Sequence, residues 1–197
     1  MFMEALQVIA DAHRLADSFQ KLPEAEAQPT AIIVSGLPGT GKSFFCQRLA
    51  ERLPYVILES DVLRKKLFPN PAYSAEESAY LFRAIHCLME DFLKRGIPII
   101  LDATNLTRKH RERLYNIAER YHVRIIIVLI KAPPEVVQKR LKKRVVDKNN
   151  GDNSSADWSV YRKMKPMVEK IDRHHFTVDT SKDIIPTIEK IAREANR

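Results

Sequence analysis

The sequence predicts an α/β fold with a central parallel sheet, on three observations. Five short apolar runs recur along the chain, helical patterns separate them, and a glycine-rich turn links the first run to the helix after it. The runs are AIIVS (31–35), YVILE (55–59), IPIIL (97–101), RIIIVLI (124–130) and FTVDT (176–180). Unbroken Ile/Val/Leu runs of this length suit strands buried on both faces, and the intervening helices supply the crossovers that parallel strands require. A chain of 197 residues fits one such domain with a short appendage.

The appendage comes first. Residues 2–20 place Phe2, Leu6, Ile9, His13, Ala16 and Phe19 on one helical stripe, which predicts an amphipathic helix packed on the domain. LPEAEAQPT (22–30) reads as a polar, proline-marked linker. Residues 1–29 are thus helix and linker, and 30–197 the α/β domain. Late in the chain, the helical run PPEVVQKRLKKR opens a helical lid spanning about residues 133–165. Within it VVDKNNGDNSSAD (145–157) is rich in Asn, Asp, Ser and Gly and is expected to be the least ordered stretch.

Composition narrows the class. Hydrophobic residues make up 45% and charged residues 29%, ordinary for a chain with a real core. The two cysteines, Cys46 and Cys87, form no CxxC pair and read as small apolar residues in a reducing compartment. The N-terminus carries acids where a signal peptide would carry lysines, and no apolar run approaches the ~20 residues that span a bilayer. A cytoplasmic protein without a membrane partner is expected. The net charge is +8, and residues 131–148 supply +5 of it from seven cations against Glu135 and Asp147. Such a run is either a solvated helix face or a surface for an anionic ligand.

The decisive motif is Gly36-Leu37-Pro38-Gly39-Thr40-Gly41-Lys42-Ser43, which matches G-x-x-x-x-G-K-[ST] at every fixed position. It follows the strand AIIVS and opens the helix SFFCQRLAERL. A loop that wraps a phosphate must turn tightly and aim successive N–H groups inward, which glycine permits. The helix N-terminus, through Phe44, adds its partial positive charge. Lys42 is expected to reach the β/γ-phosphates of ATP and the Ser43 hydroxyl to ligate Mg2+.

The loop alone does not separate a kinase from a GTPase or a motor. Guanine recognition typically needs Asn/Thr-Lys-x-Asp, and the nearest segment, Ser181-Lys182-Asp183, has the wrong spacing. Motor ATPases place Glu directly after the acid ending a later strand, whereas here Asp102 is followed by Ala103. A kinase needs a base for an acceptor hydroxyl and cations for the transferring group. Asp61, just past YVILE, lies at the carboxyl end of the sheet, where ligands sit; it is a candidate base, or a helix N-cap. Arg64, one turn on, is placed to hold an acceptor phosphate or is a solvated arginine. Asp102 is placed to orient a magnesium-bound water, to position Arg64, or to cap the helix near Thr107. Arg140 and Arg144, four residues apart on one helical face, are candidates for an arginine finger on the lid.

This ordered set of motifs resembles the kinase module of phage-type 5′-polynucleotide kinases and their AAA-33 relatives, over roughly residues 30–180. The resemblance implies a three-layer P-loop fold with strand order 2-3-1-4-5. It also implies Lys42 and Ser43 for ATP and magnesium, Asp61 as general base, Arg64 on the acceptor phosphate, Asp102 positioning that arginine, and Arg144 on the transferred group. Two departures stand out. Ala103 separates Asp102 from Thr104 where those enzymes tend to read Asp-Thr-Asn. The segment after Arg64 resembles the nucleic-acid enzymes less than bacterial P-loop kinase modules whose acceptors are small molecules or unknown. The acceptors in view are a polynucleotide 5′-OH and, in the manner of zeta-toxin or chloramphenicol phosphotransferase relatives, a sugar, nucleoside or antibiotic. A nucleotide-dependent switch without transfer is the third reading.

Overall fold

The computed structural model describes residues 2–146 and 156–197. Five parallel strands form the predicted sheet: β1 (Thr30–Ser35), β2 (Val56–Glu59), β3 (Ile99–Asp102), β4 (Arg124–Lys131) and β5 (Phe176–Asp179), in the order β2-β3-β1-β4-β5. Strands β1 and β3 are buried on both faces, as expected, whereas the edge strand β2 buries only alternate residues and the edge strand β5 buries only Val178. Alternate residues of β1 divide between two cores. Ala31 and Ile33 pack under α1 (Phe2–Asp17), α4 (Ala75–Lys94) and α5 (Arg108–Arg120), while Ile32 and Val34 pack under α2 (Lys42–Ala50) and α8 (Ile185–Ala195). The same pleat carries Ile100 to the α2 side, and with it Asp102, two residues on. Register places Glu59 beside Asp102 and Asp102 beside Val34, so these ends form one carboxyl-terminal edge.

Two further helices shape that edge. The short α3 (Ser60–Leu67) leaves β2 directly. The long α4 starts at a Ser74-x-x-Glu77 cap, in which the Ser74 hydroxyl accepts from Glu77 N at 3.1 Å. In the segment expected to form a lid, about residues 133–165, the described residues fold as α6 (Pro134–Val146) and α7 (Trp158–Met164), and a 3-10 turn follows at Lys165–Met167. Of the tract 145–157 expected to be least ordered, residues 147–155 lie outside the described residues.

The N-terminal helix forms, but on a different face from the one expected. Val8, Ala12 and Leu15 are buried against the core, with Ala16 and Phe19 partly so. Leu6 and Ile9, on the expected stripe, are 48% and 45% exposed. The sequence carries two overlapping apolar stripes, and polar bonds select between them. Tyr80 OH donates to the buried Asp11 at 2.6 Å, and Lys66 Nζ donates to Ser18 at 2.7 Å. Both bonds require the Val8/Ala12/Leu15 side to face α3 and α4. No helix among the described residues is long and apolar enough to cross a membrane.

Candidate active site

The loop between β1 and α2 turns through left-handed backbone at Gly39 (φ 76°) and Gly41 (φ 92°). At Gly39 a Cβ would lie 2.8 Å from Leu141 and 3.0 Å from Val137, both on α6. Helix α6 therefore rests on the phosphate loop itself, and Leu37 joins its apolar cluster with Val137, Leu141 and Tyr161. Pro38 and Thr40 are buried, Gly36 accepts no Cβ because Ile130 O would lie 2.6 Å away, and Phe44 is 52% exposed beneath Arg48.

Lys42 opens α2, with Ser43 beside it, and donates from Nζ to Leu37 O at 3.1 Å. Burial pulls its pKa down; the charges of Asp102 and Asp61 oppose that shift, while Arg144 adds to it. These influences place four predicted residues in one electrostatic neighbourhood, from α2, α3, β3 and α6. One turn below, burial pushes the Cys46 thiol well up, with Asp102 and Glu59 adding to the shift. Cys46 is thus an inert filler, as the sequence reading expected.

Asp61 sits in the first turn of α3, but the N-cap position belongs to Glu59. The Glu59 side chain makes no cap hydrogen bond, and Asp61 is the acidic residue of the first turn. Thr107, not Asp102, caps α5, accepting from His110 N at 3.3 Å. Asp102 is 3% exposed at the end of β3.

Two arginines stand differently from expectation. Arg64 is 7% exposed and forms an ion pair with Glu77. It also donates to Ser78 at 3.2 Å and lies 4.9 Å from the Tyr73 ring centre. Its charge is matched inside the protein, by an α4 acid that no motif singled out. Arg140 is already engaged within the protein. It donates to Thr180 Oγ1 and Thr180 O, each at 2.8 Å, and to Thr40 O at 3.4 Å. The Thr180 hydroxyl donates in turn to Thr40 O at 2.6 Å. As a finger Arg140 is corrected: it clamps the loop to the end of β5, because α6 runs close enough to the loop for its side chain to be consumed there.

Other supports were missed. Asn105, in left-handed backbone (φ 45°), donates from Nδ2 to Val34 O at 2.8 Å, and Thr104 O accepts from Gly36 N at 3.0 Å. The Asp102-Ala103-Thr104-Asn105 segment thereby fixes the entry to the phosphate loop. Arg111, 2% exposed, donates to the carbonyls of Asn105, Leu106, Glu169 and Lys170. It ties the loop after β3 to the strap that follows α7. Asn tolerates left-handed backbone, a signal that was available; Arg111 lies in RKHRER, where nothing distinguishes it from its neighbours.

The Glu77 carboxylate also accepts from Ala72 N at 2.6 Å and Tyr73 N at 3.3 Å. Desolvation raises its pKa, but the hydrogen bonds and the charge of Arg64 outweigh that and hold it below 4.5. A depressed folded-state pKa contributes stability above the unfolded value that is lost as pH falls through the folded pKa. Glu77→Ala should leave Arg64 buried without its partner and cost about 3 kcal/mol. Urea titrations at pH 7 and pH 4 test this: the wild-type advantage over the variant should shrink at the lower pH.

Comparison with known proteins follows the same outline. The family model AAA_33, described as an AAA domain, matches residues 32–171. The L-seryl-tRNA(Sec) kinase of Methanococcus maripaludis is 32% identical over 114 residues, covering 55% of this chain. The chain spans 44% of the length of that relative. A crystal structure from Chloroflexus aurantiacus j-10-fl superposes with a TM-score of 0.69 at 20% identity, covering 84% of this chain and 98% of that one. The Mycobacterium tuberculosis APS kinase CysC, in complex with AMPPNP and APS, gives 0.65 at 14% identity, covering 87% and 100%. At these identities the structural likeness speaks for the fold.

Proposed function

Since the chain belongs to the AAA_33 family, we propose that it is an ATP-dependent kinase that transfers the γ-phosphoryl group to an acceptor hydroxyl. What supports this is a phosphate loop that opens α2 with Lys42, at the sheet edge where Asp102 ends β3 and Asp61 starts α3, with the charges of Asp102, Asp61 and Arg144 all bearing on Lys42. A hydrolase needs no side chain for an alcohol; here the carboxylate of Asp61, in the first turn of α3, bears electrostatically on the loop's lysine.

In this reading the loop amides and Lys42 hold the β- and γ-phosphates. Asp61 takes the proton of the acceptor hydroxyl as its oxygen bonds to the γ-phosphorus. The bond from that phosphorus to the β–γ bridging oxygen breaks, and ADP leaves. Arg144 meets charge on the transferring group, and the lid excludes water. The donor set fits Mg2+ rather than a softer ion. It is a hydroxyl, Ser43, with the carboxylate Asp102 nearby, and no cluster of three or more His, Cys, Asp or Glu among the described residues offers a protein cage. Magnesium bound there with the nucleotide would neutralise phosphate charge.

The acceptor we favour is a hydroxyl carried by a nucleic acid, in the first instance a polynucleotide 5′-OH. The chain's positive charge supports this, as does likeness to a relative named for L-seryl-tRNA(Sec). The Arg64–Glu77 pair favours a second reading, a small neutral acceptor such as a sugar or nucleoside, because the arginine assigned to an acceptor phosphate already has a counter-ion. The test is a transfer assay with labelled ATP over 5′-OH oligonucleotides, nucleosides and sugars. Lys42→Ala should reduce turnover below a few per cent of wild type with unchanged circular dichroism. Greater retention would count against the kinase assignment.

A further inference from the structure

The lid is the most strongly charged part of the molecule. Residues 133–165 hold nine cations against four acids, five of the chain's eight net charges. On α6, Val137 and Leu141 face the phosphate loop, whereas Lys139, Lys142 and Lys143 are exposed on another side of the helix. Arg162, Lys163 and Lys165 are exposed on α7 and the turn after it. The two helices pack together through Leu141 and Tyr161, so these six cations ride on one unit. Among the described residues none of the six forms an ion pair. Exposed arginines elsewhere do, as at Arg48–Glu51, Arg83–Glu4, Arg95–Asp91 and Arg173–Glu119.

ATP does not account for this surface. Its phosphates belong to the loop side of α6, where Arg140 and Arg144 lie. Six uncompensated cations on one unit repel one another, and a polyanion relieves that repulsion along its length. Apolar and aromatic groups accompany the charge. A partly exposed Trp158 stacks on Tyr161 with centroids 4.7 Å apart and planes at 10°. Met167 and Val168, beside Lys165, are 50% and 45% exposed. The strap that displays them is hydrogen-bonded to the body of the domain. Glu169 N donates to Leu106 O at 3.0 Å, and Arg111 binds the carbonyls of Glu169 and Lys170. A ligand lying on this unit is therefore led to the loop that follows Asp102.

We propose that the outer face of the lid, Lys139, Lys142, Lys143, Arg162, Lys163 and Lys165, docks the phosphodiester backbone of a single-stranded nucleic acid. Cations tracking a backbone beside apolar and aromatic groups that meet bases are what sequence-tolerant single-strand binding requires. The proposal rests on the kinase reading and adds where the acceptor's charge is met: on the lid, not at Arg64, whose charge Glu77 already balances. Delivery of the strand end to Asp61 and closure of the lid then become one event.

The test uses the full chain and a fluorescent single-stranded RNA of about 20 nucleotides with a free 5′-OH, followed by anisotropy. Six phosphate contacts predict a log–log salt slope near −4, or about 300-fold weaker binding at 200 mM than at 50 mM salt. The triple variant K142E/K143E/K163E should bind at least about 30-fold more weakly at 50 mM salt, with a slope flatter by about 2. K142R/K143R/K163R should bind as wild type. ATP binding, measured by titration calorimetry, should be equal in all three. Wild-type RNA binding that is absent or insensitive to salt, or a triple-glutamate variant that binds unimpaired, would overturn the proposal. So would tighter binding to phosphatidylserine vesicles than to RNA, which would make the face a membrane contact. RNA binding as expected without phosphoryl transfer would sink the kinase reading alone. Transfer to free nucleosides without RNA binding would sink the docking face alone.

Discussion

Arg144→Ala is expected to lower kcat by ~10³–10⁵-fold while changing the KM for ATP little, the range seen when an arginine finger is removed. Arg144 is on the last turns of α6, one helical turn beyond Arg140, and its charge reaches Lys42. A cation held there acts mainly on charge that develops as the phosphoryl group moves, so its loss falls on kcat. Arg140→Ala should behave differently. It removes the bonds to Thr180 and to Thr40 O, loosening the loop that binds ground-state phosphates. Its signature is a raised KM for ATP, by about tenfold for one charge-assisted bond, with a smaller change in kcat. Single-turnover kinetics on both variants separate the two. Equal, small effects would return α6 to an ordinary basic helix.

How far the sequence could be read divides along physical lines. The strands were legible because a run such as AIIVS or RIIIVLI, buried on both faces, has only one residue type available. The phosphate loop was legible because its glycines answer a backbone requirement, seen at Gly39, where any Cβ would strike Leu141. What stayed hidden depends on partners distant in sequence. Arg64 and Glu77 are 13 residues apart, on different helices. Arg140 meets Thr180 across 40 positions, and Arg111 meets Glu169 across 58. An arginine's reach is long enough that nothing local reveals whether it grips a substrate or a carbonyl. The face of α1 was misjudged for a related reason. Two stripes fit its period, and the bonds that distinguish them, Asp11–Tyr80 and Ser18–Lys66, reach partners far away in sequence.

Asp61→Asn should depress kcat by ~10²–10⁴-fold with little change in the KM of either substrate. Asparagine keeps the shape and can still accept a hydrogen bond from the acceptor, but it cannot take its proton. The structure sharpens this expectation in two ways. Asp61 is the acidic residue in the first turn of α3 and not at its N-cap position, so the substitution should cost α3 no more than about 1 kcal/mol of helix-dipole stabilisation. Glu59 also supplies the control, being the other carboxylate at the end of β2, two residues away. Its influence falls on Cys46, beneath the loop, whereas Asp61 acts on Lys42. Glu59→Gln should therefore cost much less in kcat than Asp61→Asn. The two variants are to be compared in pre-steady-state transfer from labelled ATP, at saturating acceptor, with binding of both substrates measured separately. If Asp61→Asn keeps kcat within about fivefold of wild type while Glu59→Gln collapses it, the base is Glu59. If both variants stay active, neither carboxylate is the base. Acceptor deprotonation would then not limit the reaction, and the case for a hydroxyl acceptor would lose its chemical footing.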